Sequence, residues 1–166
     1  MPTHLNEGEK RFVDVEAFCR AEAKGALADV ELYLLRNYSS DKAISFFAAS
    51  EFRPDFVLWL LYENRQTIAF IDPKGLRNFT DNFNNPKVQF FRRIKEKEND
   101  LKRDDIRLES YLISQTYRNQ LRWPSPRNSK QQATSSDYMA HHVLLAKDEP
   151  DTYVKNLINM LSAGHG

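Results

Sequence analysis

The chain has 166 residues, the usual size of one domain, and 41% of them are hydrophobic, which is enough for one apolar core. Its 24 basic and 23 acidic residues almost cancel, so net charge neither supports nor excludes a nucleic-acid partner. The single cysteine excludes an intrachain disulfide, the polar first residues do not fit a signal peptide, and no apolar run approaches the ~20 residues of a membrane span. We therefore expect one domain over residues 1–166, in the cytoplasm and away from membranes.

The beginning of the chain predicts a helix followed by two strands. Residues 7–23 carry apolar side chains at helical spacing, and Asn6 followed by Glu9 is typical of a capping box at a helix start. Residues 30–36 and 43–48 are short and rich in strand-forming side chains, so each predicts a strand.

The next two apolar runs, residues 55–62 and 67–72, predict a hairpin closed by the polar residues 63–66. Both runs are apolar on both faces, as expected for strands in the middle of a covered sheet. Pro73 follows, and because proline has no backbone N–H to donate, we expect the strand to leave its ladder there.

The second half of the chain predicts further helices and strands around a long polar connection. In chain order we expect a helix, a strand, a loop, a strand and a helix over residues 87–101, 106–115, 117–137, 141–146 and 151–162. Asp151 is the expected N-cap of the last helix. The whole order predicts an α/β domain with a central mixed sheet, mostly antiparallel, flanked by helices.

The predicted hairpin gathers ionisable side chains at one end. If Tyr62 pairs with Thr67, Asp55 lies opposite Lys74, and Asp72 shares the face of Lys74 because residues two apart in a strand point the same way. Two neighbouring carboxylates repel each other, and a divalent cation or a lysine relieves that repulsion. The alternative is that both aspartates are ordinary strand-end residues and the lysine is a solvated flank.

The order of these features resembles the PD-(D/E)XK nuclease superfamily. A helix with a glutamate precedes the strands, then come Pro54 and Asp55, and then Asp72, Pro73 and Lys74. The segments ELYLLRN (31–37), FRPDFVLWL (52–60) and FIDPKGLR (70–77) are most similar to the C-terminal nuclease region of type III restriction enzymes and related helicase-linked restriction proteins. The resemblance covers roughly residues 7–116 and implies a restriction-endonuclease-like core.

By position, the resemblance implies that Asp55 and Asp72 bind Mg²⁺ or Mn²⁺, that the Pro73 carbonyl completes the metal shell, and that Lys74 is the catalytic lysine. The glutamate that the superfamily carries on its first helix is Glu9 or Glu16, and we prefer Glu9 because EKRFV resembles the family's start.

The implied function is a metal-dependent endonuclease that hydrolyses DNA phosphodiesters, in bacterial restriction or defence against phage. A helicase or translocase partner is implied by the resemblance alone, and the oligomeric state is left open. The alternatives are a catalytically silent module that binds nucleic acid or protein, and a nuclease directed at RNA.

Two further groups of residues bear on nucleic-acid binding. No acidic residue lies between Glu109 and Asp137, and this stretch predicts phosphate contacts and base stacking by Arg118, Arg122, Trp123, Arg127 and Lys130. The alternative there is a disordered polar loop. The cations Lys87, Arg92, Arg93, Lys95 and Lys97 are interspersed with glutamates, which favours a solvated helix face.

Overall fold

The computed structural model describes residues 4–22, 30–37 and 52–163, and for residues 15–22 it describes the backbone alone. The predicted strand at 43–48 and the side chain of Glu16 lie outside this description. No helix in the described parts of the chain is long and apolar enough to span a membrane.

Five helices and five strands form the described structure. The helices are α1 Glu7–Glu22, α2 Phe90–Leu101, α3 Arg118–Leu121, α4 Ser135–Ala140 and α5 Tyr153–Ser162, with a short 3₁₀ turn at Asn82–Asn84. The strands are β1 Glu31–Arg36, β2 Phe56–Tyr62, β3 Arg65–Lys74, β4 Ile106–Ser114 and β5 Val143–Leu145.

The strands form one mixed sheet in the order β1-β2-β3-β4-β5, which is also their order in the chain. β1, β2 and β3 pair antiparallel, whereas β3–β4 and β4–β5 pair parallel. The prediction of an α/β domain with a central mixed sheet flanked by helices is confirmed, whereas the expectation of mostly antiparallel strands is wrong, because two of the four pairings between the described strands are parallel.

Helices cover both faces of this sheet. On one face, Phe12 of α1 and Leu157 of α5 pack against the β2 residues Phe56, Leu58 and Leu60. On the other face, the buried side chains come mainly from α2, α4 and the alternate positions of the strands; they include Phe90, Ile94, Tyr138, Val57 and Phe70. Double coverage explains why β2 and β3 are apolar at consecutive positions rather than at alternate ones.

The predicted register of the β2–β3 hairpin is wrong by two residues. Tyr62 pairs with Arg65, so the turn consists of Glu63 and Asn64 alone. The strand begins early because Gln66 is anchored on both sides: its side chain accepts a hydrogen bond from Trp59 (3.1 Å), and its backbone N–H donates to the Asp105 carbonyl (2.8 Å). Because the register differs by two residues, every side chain still lies on the predicted face of the sheet.

The prediction that β3 leaves the ladder at Pro73 is also wrong, since the strand continues to Lys74 and pairs with β4 throughout. The Lys74 carbonyl accepts a hydrogen bond from Gln115 N–H (2.9 Å) on the β4 side. Because successive residues of a strand face opposite neighbours, the missing N–H of Pro73 faces the β2 side. The pairing with β2 has already ended there at Ile71, so the proline costs no hydrogen bond.

Three predictions in the second half need correction. The stretch 117–137 is not a long loop, because it contains α3 and the start of α4, and Pro124 pairs with Gln132 in an isolated bridge. The second helix begins at Phe90 rather than at residue 87. Asp151 is not the N-cap of the last helix; a turn through Glu149 leads directly into α5, with Thr152 at the cap position.

Candidate functional site

Two aspartates meet where the β2–β3 hairpin opens. Asp72 lies near the end of β3 and is almost fully buried, with 1% of its surface exposed. Asp55 directly precedes β2, and continuing the observed register places it opposite Asp72 rather than opposite Lys74. The Nζ atom of Lys74 lies 2.9 Å from Oδ2 of Asp72. The predicted trio is therefore brought together, although with Asp72 and not Lys74 as the cross-strand partner of Asp55.

Both aspartates have a pKa above the ordinary value for an aspartate side chain. Burial first, and then the negative charges of Asp72 and Glu9, raise the pKa of Asp55 to about 7 against the opposing effect of Lys74. Burial also raises the pKa of Asp72, with the ammonium of Lys74 acting in the other direction. Lys74 and Lys87 lower the pKa of Asp72 without returning it to its ordinary value, so the site favours an additional positive charge.

The two carboxylate oxygens of Asp72 have different surroundings. Its Oδ2 atom is bonded to Lys74, whereas its Oδ1 atom is buried and accepts no hydrogen bond from an N–H or hydroxyl group of the described residues. The neighbouring Asp55 carboxyl is its hydrogen-bond partner when that group is protonated, and ionisation of Asp55 leaves the oxygen without one. A buried carboxylate oxygen without a partner is costly in a folded protein. Such an oxygen fits a ligand, and hard divalent cations prefer carboxylate oxygens.

Glu9 reaches the same region from α1. Its Oε2 atom accepts a hydrogen bond from the Asn6 N–H (2.8 Å), and the Glu9 N–H donates to Asn6 Oδ1 (2.8 Å), so the predicted capping box is present. Arg36 of β1 donates to the same Oε2 at 3.2 Å. Glu9 is 7% exposed, and its charge is felt at Asp55. It thus lies at the site, with one oxygen already engaged.

The acidic pair supplies only part of the coordination shell of a metal ion. Among the described side chains of residues 4–14, 30–37 and 52–163, no three His, Cys, Asp or Glu are placed to hold a metal ion, so these side chains do not build a closed structural metal site. Mg²⁺ usually keeps several waters and takes only one or two protein carboxylates together with substrate phosphate. Asp55 and Asp72 satisfy that requirement.

Two clefts meet at Lys74 and Gly75. The smaller, of about 370 Å³, is lined by Asn6, Glu7, Gly8, Arg11, Pro73, Lys147 and Gln115. The larger, of about 670 Å³, is lined by Phe52, Asn78, Phe79, Thr80, Asp81, Asn85, Pro86, Lys87, Phe90 and Arg93. Cations outnumber acids along both clefts, which suits an anionic ligand that passes over Lys74.

The smaller cleft depends on a close approach between α1 and the residue after β4. A Cβ atom at Gly8 would lie 2.9 Å from Cδ of Gln115, closer than side-chain carbons approach one another. In its present rotamer, the Gln115 side chain therefore packs against α1 at a place that a side chain at position 8 would crowd.

Sequence patterns missed Lys87 as a site residue. Its charge lowers the pKa of Asp72, so it lies near the acidic pair rather than on a purely solvated helix face. The sequence does contain a signal for this position. In a unit of strand, helix and parallel strand, the residues between the first strand and the helix lie near the end of that strand. Recognising β3, α2 and β4 as such a unit predicts this position.

The residues expected to bind nucleic acid divide into two groups. Trp123 is 3% exposed and contacts Phe83 edge-on at 5.0 Å, so the prediction that its ring stacks on bases is wrong. Arg118 is partly buried and donates to the Ala133 carbonyl (3.1 Å). The remaining three, Arg122, Arg127 and Lys130, are exposed. None of the five lines a cleft beside Lys74.

Comparison with known proteins adds no family to this geometry: no family model, no curated protein sequence and no solved structure matches the chain.

Proposed function

We propose that this protein is a metal-dependent endonuclease that hydrolyses DNA phosphodiesters, built on a PD-(D/E)XK-type core. The observation that carries the proposal is the pairing of Asp55 and Asp72 beside Lys74. When Asp55 is ionised, one buried Asp72 oxygen is left without a hydrogen-bond partner among the described residues, and the pKa of Asp55 is raised to about 7. A cation would relieve both conditions, and perturbed carboxylates of this kind are typical of functional sites.

The residues that would hold Mg²⁺ or Mn²⁺ are Asp55 and Asp72, with the backbone carbonyl of Pro73 as a third oxygen. That carbonyl faces the β2 side of β3, the side on which Asp55 lies. When bound, such a cation supplies Lewis-acid stabilisation of charge on a phosphate and lowers the pKa of water. Glu9 adds negative charge to the site and is the candidate for an outer position.

Lys74 acts on the reacting groups rather than on the metal. Its ammonium group is held 2.9 Å from Asp72, and about a third of its side chain is exposed at the junction of the two clefts. From there it can orient or deprotonate an attacking water, or stabilise the negative charge that develops on the phosphate. The hydrogen bond to Asp72 limits the rotamers that the lysine can adopt.

The clefts supply contacts for the phosphates on either side. Lys87 and Arg93 line the larger cleft, and Arg11 and Lys147 line the smaller one. Contacts of this kind give affinity without sequence readout and weaken as salt is added. The resemblance to restriction proteins supports a role in bacterial defence against foreign DNA, together with a helicase or translocase partner.

A catalytically silent binding module is the second candidate. Its supporting observation is that Glu9 is already engaged by Asn6 and Arg36, so the acidic site could serve only to hold α1 against the sheet. The two candidates differ in whether the protein cuts DNA.

Plasmid DNA and linear DNA, the latter both as duplex and as single strand, incubated with the full chain and Mg²⁺, Mn²⁺ or a chelator, test the proposal. We expect nicking or linearisation with metal only, and none from Asp72→Asn. Labelled RNA of the same sequence, assayed in parallel, tests the RNA-directed alternative. A folded protein that cuts neither nucleic acid with either metal would exclude the nuclease function.

A further inference from the structure

The larger cleft beside Lys74 is much roomier than a phosphate requires. Its volume is about 670 Å³, within the range of pockets that hold whole organic ligands. Phe52 and Phe90 contribute to its lining and stack on each other with ring centroids 4.1 Å apart. Phe79 is only partly buried, so its ring contributes an accessible apolar wall.

Polar groups are placed around this apolar lining. Asn78, an exposed residue next to Phe79, presents an amide that can both donate and accept hydrogen bonds. Lys87 and Arg93 add positive charge, and Lys87 is close enough to Asp72 to lower its pKa. The cleft therefore combines a flat apolar surface, an amide and cations within reach of the proposed cutting site.

Hydrogen bonds hold the wall of the cleft in place. Leu76 N–H donates to Thr116 Oγ1 (3.0 Å), Asn85 Nδ2 donates to the Thr80 carbonyl (3.0 Å), and Gln89 Nε2 donates to the Phe83 carbonyl (2.6 Å). These bonds join the segment between β3 and α2 to itself and to the residues after β4. The wall of the cleft is therefore held by the protein's own hydrogen bonds.

We infer that this cleft is a nucleotide subsite that accepts one unstacked base of the DNA strand being cut, so that single-stranded DNA is the preferred substrate. This inference rests on the proposed nuclease function and specifies its substrate. Phe79 stacks on the base, Asn78 bonds to its edge, and Lys87 contacts the adjoining phosphate. A base in a duplex is already stacked and paired, so it enters only after extrusion, whereas a base in a single strand enters directly.

Binding without metal tests this inference separately from cleavage. Fluorescence anisotropy in a chelator would compare a labelled single-stranded oligodeoxynucleotide with its duplex, for the parent chain, Phe79→Leu, Asn78→Ala and Tyr33→Leu. Phe79→Leu removes the ring but keeps apolar volume. Tyr33→Leu is the matched control, because Tyr33 is an exposed aromatic on β1 that lines neither cleft.

We expect the parent to bind the single strand more tightly than the duplex, and Phe79→Leu to weaken single-strand binding by on the order of tenfold, since base stacking on an aromatic is lost. Asn78→Ala, a change at an exposed position, should weaken it less, and Tyr33→Leu should leave it unchanged. Circular dichroism of each variant verifies the fold.

Equal parental affinity for single strand and duplex would overturn the inference, as would unchanged binding by both folded cleft variants. Tighter binding of the matching RNA strand would overturn its assignment to DNA. If Phe79-dependent binding is found but no metal supports cleavage, the nuclease proposal fails and the nucleotide subsite stands. If cleavage occurs but neither cleft variant alters binding, the subsite fails and the nuclease proposal stands.

Discussion

Replacing Asp55 by asparagine should stabilise the metal-free protein at neutral pH, and the gain should disappear in acid. The pKa of Asp55 rises from 3.8 to about 7 on folding, because burial and the charges of Asp72 and Glu9 disfavour its ionised form. A carboxyl group with a raised folded-state pKa binds its proton more tightly in the native state. Above pH 7 the native protein therefore bears the full penalty of the ionised group, and below about pH 4 it bears none.

The size of the effect follows from the shift. One pKa unit corresponds to about 1.4 kcal/mol, so the full shift corresponds to about 4 kcal/mol. The Asp55 carboxyl is partly in contact with water, which screens its charge, and we therefore expect about 2 kcal/mol. For a domain of this size that is a rise in Tm of about 4–8 °C.

Thermal unfolding of parent and Asp55→Asn, in a chelator at several values between pH 4 and pH 8, measures this difference. We expect the free energy of unfolding of the variant to exceed that of the parent at pH 8 and the gap to close towards pH 4. Adding Mg²⁺ at pH 8 should stabilise the parent and narrow the gap. Asp104→Asn, at an exposed position, is the control and should show no such trend. A gap independent of pH, or a variant less stable than the parent at pH 8, would refute the argument.

Three further predictions concern the remaining site and core residues. Asp72→Ala should abolish both cleavage and Mg²⁺ binding in a calorimetric titration, because it removes the carboxylate with the unpartnered oxygen; parental cleavage rates would contradict the proposed site. Lys74→Ala should retain Mg²⁺ binding but slow cleavage by about 10²–10³-fold, and loss of binding as complete as in Asp72→Ala would show that the lysine's role is wrongly assigned. Trp123→Ala should lower the free energy of unfolding by about 3–5 kcal/mol in denaturant, yet leave the DNA affinity of the folded fraction unchanged, in contrast to a stacking residue at the surface.

The sequence was sufficient for the parts of the site that depend on local patterns. Apolar runs located β2 and β3, and the alternation of side chains along a strand put Asp55, Asp72 and Lys74 on one face despite the wrong register. The capping box at Asn6 and Glu9 depends on residues three apart and was equally readable.

What could not be read from local patterns depends on long-range packing. Trp123 lies among basic, polar residues in the sequence, and its contacts with Phe83 and Tyr138 across the fold explain its burial. Lys87 resembles any other lysine in a charged segment until the parallel pairing of β3 with β4 brings it back to Asp72. Composition favoured a solvated surface position for both residues, whereas tertiary structure buries Trp123 and places Lys87 in a cleft beside the acidic pair.

The order of strands in the sheet has a consequence for how the protein folds. Because each strand pairs with its neighbour in the chain, the hairpin of β2 and β3 closes over a short turn, and short loops close fastest. We therefore expect Asp55, Asp72 and Lys74 to meet early in folding. We expect the other cations of the larger cleft, Lys87 and Arg93, to join them only when the long crossover through α2 delivers β4 to its parallel partner. A low pH, at which the two carboxyls are protonated, should ease the first of these steps.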